Sequence, residues 1–210
     1  MSQKSELEED LLALAALRDE DIDTSDIPER LDFSGGRLGQ FFNLVQRDYD
    51  VRAIANWCLS KLKSEDRSET QMWINKIVYF IHELSLTKYR TLLTPARVEA
   101  WDHGPVFREI YFGHPKGYEI DFFTKFNPKE RKRELASEDF QTYDLEIFED
   151  AWAKYGHMSA SRLRSLSHAP GTPWSLVWNS NDGRRRGLEI DIPSIIGRIG
   201  QGYGNSKKSV

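Results

Sequence analysis

The stretch Val98-Glu99-Ala100-Trp101-Asp102-His103-Gly104-Pro105-Val106 decides how the chain is read. It carries a large indole into a turn where glycine and proline stand side by side. Gly104 can take backbone angles closed to other residues, and Pro105 presets the φ of a first helical position while lacking an N–H that would be orphaned there. The reading is a rigid corner from which a helix starts at Pro105. Val106, Phe107 and Ile110 would form its inner face, and Trp101 would lie against the element just before it.

Upstream of this corner the pattern is helical. Val51, Ile54, Ala55, Cys58, Leu59 and Leu62 fall on one stripe, and Trp73, Ile77, Phe80, Ile81 and Leu84 mark a second. Ser68 with Gln71 offers a capping box for the second helix, and the polar Lys63 to Arg67 link predicts that the two helices pair antiparallel. Between them and the corner, Pro95 breaks the helix, and Val98, Ala100 and Trp101 give a short strand-like or irregular link.

Downstream, Gly113, Pro115 and Gly117 keep the Pro105 helix short. Tyr118 to Phe123 reads equally as a strand or a buried loop, and Lys129 to Glu134 as a solvated helix or loop. Leu145, Phe148, Ala151, Trp152 and Tyr155 mark another helix, which Gly156 ends. Ser159 begins a helix bearing Leu163 and Leu166, and Thr172 with Pro173 forms a cap and first turn for a helix through Asn179. Asp182-Gly183 is a turn, and Ile192, Ile195, Ile196 and Ile199 predict a last helix from near Pro193. The fold class is mainly α, a compact helical domain with one or two short strands.

Ahead of the domain lies a segment of different composition. Residues 1–30 hold three basic and ten acidic side chains, a net −7, which leaves +3 for the rest of a chain whose total is −4. Leu7, Leu11, Leu14 and Leu17 recur at helical spacing, and an acidic linear element containing Ile22 and Ile27 follows. Three regions result: an acidic, partly disordered extension over 1–45, a helical domain over 46–200, and a disordered polar tail over 201–210.

Composition excludes several classes. The 39% hydrophobic and 12% aromatic content is enough for a real core. No apolar run approaches the roughly 20 residues that span a bilayer, and the first residues lead into acids, so no membrane association and a cytoplasmic location are expected. Cys58 sits alone on an apolar helical face and reads as a buried structural thiol. None of the five histidines has zinc-ligand spacing. The serines near His168 lack a nucleophile elbow, and the glycine pairs lack a phosphate-loop Lys-Ser/Thr. No catalytic residue, metal or cofactor is expected. Arg184-Arg185-Arg186 and the Lys129 to Arg133 run are basic, but a pI near 5.8 and an acidic N-terminal segment argue against direct nucleic-acid binding.

The motifs also carry a resemblance. Ala100-Trp101-Asp102-His103-Gly104-Pro105-Val106 resembles the central signature of the SocA-like antitoxin family, the Panacea domain. Ile74-Asn75-Lys76-Ile77-Val78-Tyr79-Phe80 is similar to that family's Leu-Gln-Lys-Leu-Leu-Tyr-Tyr helix, and Ser167-His168-Ala169-Pro170-Gly171-Thr172-Pro173-Trp174 to its Thr-His-…-Pro-Trp turn. The three stand in register between Asp50 and Ile199, about three quarters of the chain. The element Asp19 to Glu29, with Asp32 to Phe42 after it, resembles short BrnA-like antitoxins, although Leu38 intrudes in the second half.

The resemblance implies an antitoxin that neutralises a cognate toxin protein by direct contact. It leaves two other readings open: an adaptor delivering a toxin to a Clp-type protease, and an enzyme of unknown type. Lys76, Tyr79, Trp101, Gly104, Pro105, Val106, His168, Pro173 and Trp174 are the family-motif and candidate partner-binding residues. Leu11, Leu14, Ile22 and Ile27 are the candidate apolar anchors of the extension.

Overall fold

The computed structural model describes residues 44–114, 120–180 and 187–191, together with Ile195. In chain order these form β1 (Val45–Gln46), α1 (Val51–Ser64), α2 (Gln71–Thr87), β2 (Thr91–Leu92), β3 (Val98–Trp101), β4 (Gly104–Phe107) and α3 (Arg108–Phe112). They continue with β5 (Thr124–Asn127), β6 (Lys132–Leu135), α4 (Thr142–Tyr155), α5 (Ala160–His168), α6 (Pro173–Asn179) and β7 (Leu188–Glu189). About half of the described residues are helical, and their strands make three small sheets: a parallel β1–β2 pair, an antiparallel β4-β3-β7 sheet and a β5–β6 hairpin.

Helix α2 is the centre of the core. It packs against α1, α3, α4, α5, β2 and β4, and it is buried on nearly every side from Trp73 to Leu86. A helix that is apolar all round has no solvent face to turn outward, so other elements must cover it. Trp152 of α4 meets both Trp57 and Trp73 edge to face, with ring centroids 5.8 Å apart in each pair. Its indole N–H donates to Glu65 Oε1 at 2.8 Å, tying α4 to the α1–α2 connection.

The helix starts follow side-chain caps. Asp50, Thr70, Ser159 and Thr172 each accept a backbone N–H of the first turn, as small polar N-caps do. The capping box expected from Ser68 and Gln71 is displaced: Thr70 is the cap, and Gln71 instead donates through Nε2 to the carbonyls of Ile110 and Tyr111. Gly156 does end α4, but at φ −62°. Space rather than backbone angle selects it, because an added Cβ would come within 2.7 to 2.9 Å of Trp152.

Two local expectations are corrected. No helix begins at Pro105; residues Gly104–Phe107 are a strand hydrogen-bonded to β3, and the helix starts three residues later at Arg108. Proline is accommodated there because β4 is an edge strand, where a missing N–H costs the ladder nothing. The Lys129 to Glu134 run is neither helix nor simple loop; it spans the turn and second strand of the β5–β6 hairpin, whose charged outer face suits an edge strand. The N-terminal anchors Leu11, Leu14, Ile22 and Ile27, the Asp182-Gly183 turn, Arg184 to Arg186 and the 201–210 tail lie outside the described residues. So does most of the last predicted helix, apart from the buried Ile195.

A buried amide holds the segment around β5 and β6 to the core. Asn56 of α1 accepts the Phe123 N–H at 2.7 Å and donates to the carbonyls of Phe123 and Ala136 at 2.9 and 2.7 Å. Asn56→Leu keeps the branching at Cγ but orphans the Phe123 N–H and the Ala136 carbonyl, so it should lower unfolding stability by about 3 kcal/mol. Denaturant titration of the variant against wild type checks this.

Candidate functional site

The three sequence motifs meet at the turn between β3 and β4. The register pairs Trp101 with Gly104 and Ala100 with Pro105, leaving Asp102 and His103 as a two-residue turn. Gly104 lies at φ +100°, a region that L side chains rarely adopt. A Cβ on it would lie 2.8 Å from Ser167 Oγ and 3.0 Å from both His168 Cε1 and Lys76 Nζ. The glycine therefore serves the turn and the close approach of α2 and α5 together.

Strand parity explains what surrounds it. In an antiparallel pair, alternate residues direct their backbone groups toward and away from the partner strand. Ala100 and Val98 turn theirs to the β7 side, accepting the N–H groups of Gly187 and Ile190 at 2.8 and 2.9 Å. Opposite them, Pro105 and Phe107 turn outward to α2. There the Lys76 ammonium donates to the Pro105 carbonyl at 2.7 Å, while Asn75 accepts the Phe107 N–H at 2.8 Å and donates to its carbonyl at 3.3 Å. The Asn75 amide thus stands in for a neighbouring strand.

The third motif closes the turn from the other side. The Trp174 indole N–H donates to the Trp101 carbonyl at 2.9 Å, and the His168 ring lies 3.8 Å from the Trp174 ring. His168 Nδ1 is 2.7 Å from the Arg164 carbonyl, which only accepts, so that nitrogen carries a proton. Its Nε2 faces the Asp102 carbonyl at 3.4 Å. Thr172 fixes the α5–α6 corner by donating to the Ser167 carbonyl at 2.7 Å and capping α6, with Pro173 as that helix's first residue.

Electrostatics follow burial. Lys76 is 1% exposed, and desolvation pulls its ammonium from 10.5 down to about 7, with the like charge of Arg164 adding to the effect. Desolvation also holds His168 below the ordinary histidine value. His82, packed edge to face on Phe107, is pushed down to about 4 and stays neutral. Burial raises the Cys58 thiol far above its usual range, so this thiol is inert.

On the other face of the hairpin, Glu99 accepts the Trp101 indole N–H at 2.9 Å and lies 3.6 Å from Arg108. The Trp101 ring packs on Tyr111, with Phe112 beyond it and 62% exposed. Between this face and the start of α2 runs a cleft of about 370 Å³ whose lining includes Met72, Lys76, Trp101, Val106 and Tyr111. Among the described residues, no group of three or more His, Cys, Asp or Glu converges as a metal site would require. No helix there is long and apolar enough to cross a membrane.

Of the candidate residues, Lys76, Trp101, Gly104, Pro105, His168 and Trp174 are brought together around the turn, and Val106 lines the cleft beside it. Tyr79 lies one helical turn on, buried in the core beside Phe80. Sequence reasoning missed Asn75, Glu99 and Ser167. An asparagine inside an otherwise apolar helix was the available signal, since a buried amide requires partners.

Residues 74–175 match the family model described as antitoxin SocA-like, Panacea domain. Over 147 residues the chain is 31% identical to antitoxin SocA of Caulobacter vibrioides (strain NA1000 / CB15N), covering 68% of this chain and 77% of that protein. The chain belongs to the SocA-like antitoxin family. No solved structure matches it.

In this Panacea domain, every residue of the turn cluster lies inside the matched span, from Lys76 to Trp174. Gly104→Ala should lower stability by at least about 2 kcal/mol, because it combines a strained φ with steric overlap. The melting temperature reads this directly. An unchanged melting point would mean that the turn relaxes freely.

Proposed function

We propose that the protein is an antitoxin that neutralises a cognate toxin by direct binding, without chemistry of its own. The observation that carries the antitoxin part of this reading is the 31% identity to antitoxin SocA over 77% of that protein's length. The geometry is compatible with it. The turn is a fixed platform, locked from both sides by side-chain hydrogen bonds, and it displays Asp102 and His103 to solvent beside the exposed Phe112 and Met72. A preorganised surface loses little entropy on docking, which favours affinity. The acidic residues 1–30 would steer a basic partner and speed encounter.

The test is growth rescue. A reading frame adjacent to this one should arrest growth when expressed alone and be relieved by co-expression of this protein. Relief that persists in a host lacking Clp proteases, with co-purification of the two chains, supports direct binding. Relief lost in that host points to proteolytic delivery, and a neighbour that is harmless alone contradicts the antitoxin reading.

A further inference from the structure

The cleft beside the β3–β4 turn has a chemistry of its own. Met72, Trp101, Val106 and Tyr111 give it apolar walls, and the buried Lys76 lines it. An ammonium has three donors, and here the Pro105 carbonyl takes one. Among the described residues no carboxylate lies within ion-pair distance of Lys76, and its charged neighbour is Arg164, of the same sign. Glu99, the buried acid of the hairpin, is engaged by Trp101 and Arg108. Asp102 stands at the exposed edge of the cleft.

Of the other polar groups of the lining, two are committed, and Asp102 and His103 stand exposed at the turn. Gln71 donates to two α3 carbonyls, and Asn75 is spent on both backbone groups of Phe107. The buried part of the lining thus offers the Lys76 amine, whose charged form is costly there without an anion. Its volume of about 370 Å³ falls at the small end of ligand pockets. We propose that this cleft binds a carboxylate joined to an aromatic or aliphatic group, the acid pairing with Lys76 and the apolar part lying against Trp101 and Tyr111.

This proposal does not depend on the antitoxin reading, and its test needs no toxin. The full-length protein is titrated with 3-phenylpropanoate by calorimetry, with the isosteric neutral 3-phenylpropanamide as control. Saturable binding of the acid, at least ten-fold tighter than the amide, is expected. So is a shift of the Lys76 Cε carbon signal that the amide does not produce. Lys76→Met, checked for native circular dichroism, should lose at least ten-fold in affinity for the acid.

Equal affinity for acid and amide, or a Lys76 signal that stays put, overturns the proposal, and both readouts are available in the unmodified protein. The same chemistry can reach the cleft on a free acid or on a protein segment. N-acetyl-Phe-Glu-amide is the arm that separates them: tighter binding than the free acid assigns the site to an acidic side chain beside an apolar one, and weaker binding assigns it to a small organic acid.

Discussion

The outer edge of β4 must be satisfied without a fourth strand. Antiparallel parity sends the backbone groups of Pro105 and Phe107 away from β3, into the interior of the protein, where an unpaired carbonyl or N–H costs as much as a lost hydrogen bond. Helix α2 meets this requirement with two consecutive polar side chains, Asn75 and Lys76, set into a largely apolar buried helix. Proline at position 105 removes one donor from the problem and leaves only a carbonyl for the ammonium. The docking of the hairpin on α2 is thus hydrogen-bonded as well as hydrophobic. The position of the turn, the approach of α5 and the seat of α6 on Trp101 all follow from it.

The same arrangement explains why a lysine is buried at the cost of a depressed pKa. Its stem runs through the core, and its head, beside Gly104, reaches the Pro105 carbonyl that β4 turns outward. A methionine could fill the volume but could not satisfy Pro105. The cluster is therefore specified by geometry, with Ser167, His168 and Lys76 all at about 3 Å from where a Cβ on Gly104 would stand.

Much of this was legible in the sequence, for identifiable reasons. Helices α1, α2 and α4 announced themselves through apolar periodicity, and α5 and α6 through the Ser159 and Thr172 caps, signals that are local. The motif residues around Trp101, Lys76 and Trp174 were found because a family resemblance flagged them, and the fold then placed six of them around one turn. What was misread depends on partners far along the chain. Gly-Pro fits a helix start as well as a tight turn entering an edge strand, and only the pairing of Val98–Trp101 with Gly104–Phe107 separates the two. The β5–β6 hairpin was hidden for a related reason: β6 is exposed and charged and β5 half-buried and mostly polar, so alternation of apolar residues, the usual strand signal, is weak there.

Hydrogen exchange at the Phe107 amide tests the central claim most directly, because that N–H is held by the Asn75 side chain rather than by a strand. The account predicts protection close to that of the α2 core amides such as Ile77, and a loss of at least about ten-fold relative to those amides in Asn75→Leu. Exchange at Phe107 as fast as at the amide of the exposed Asp139 in the unmodified protein would contradict it.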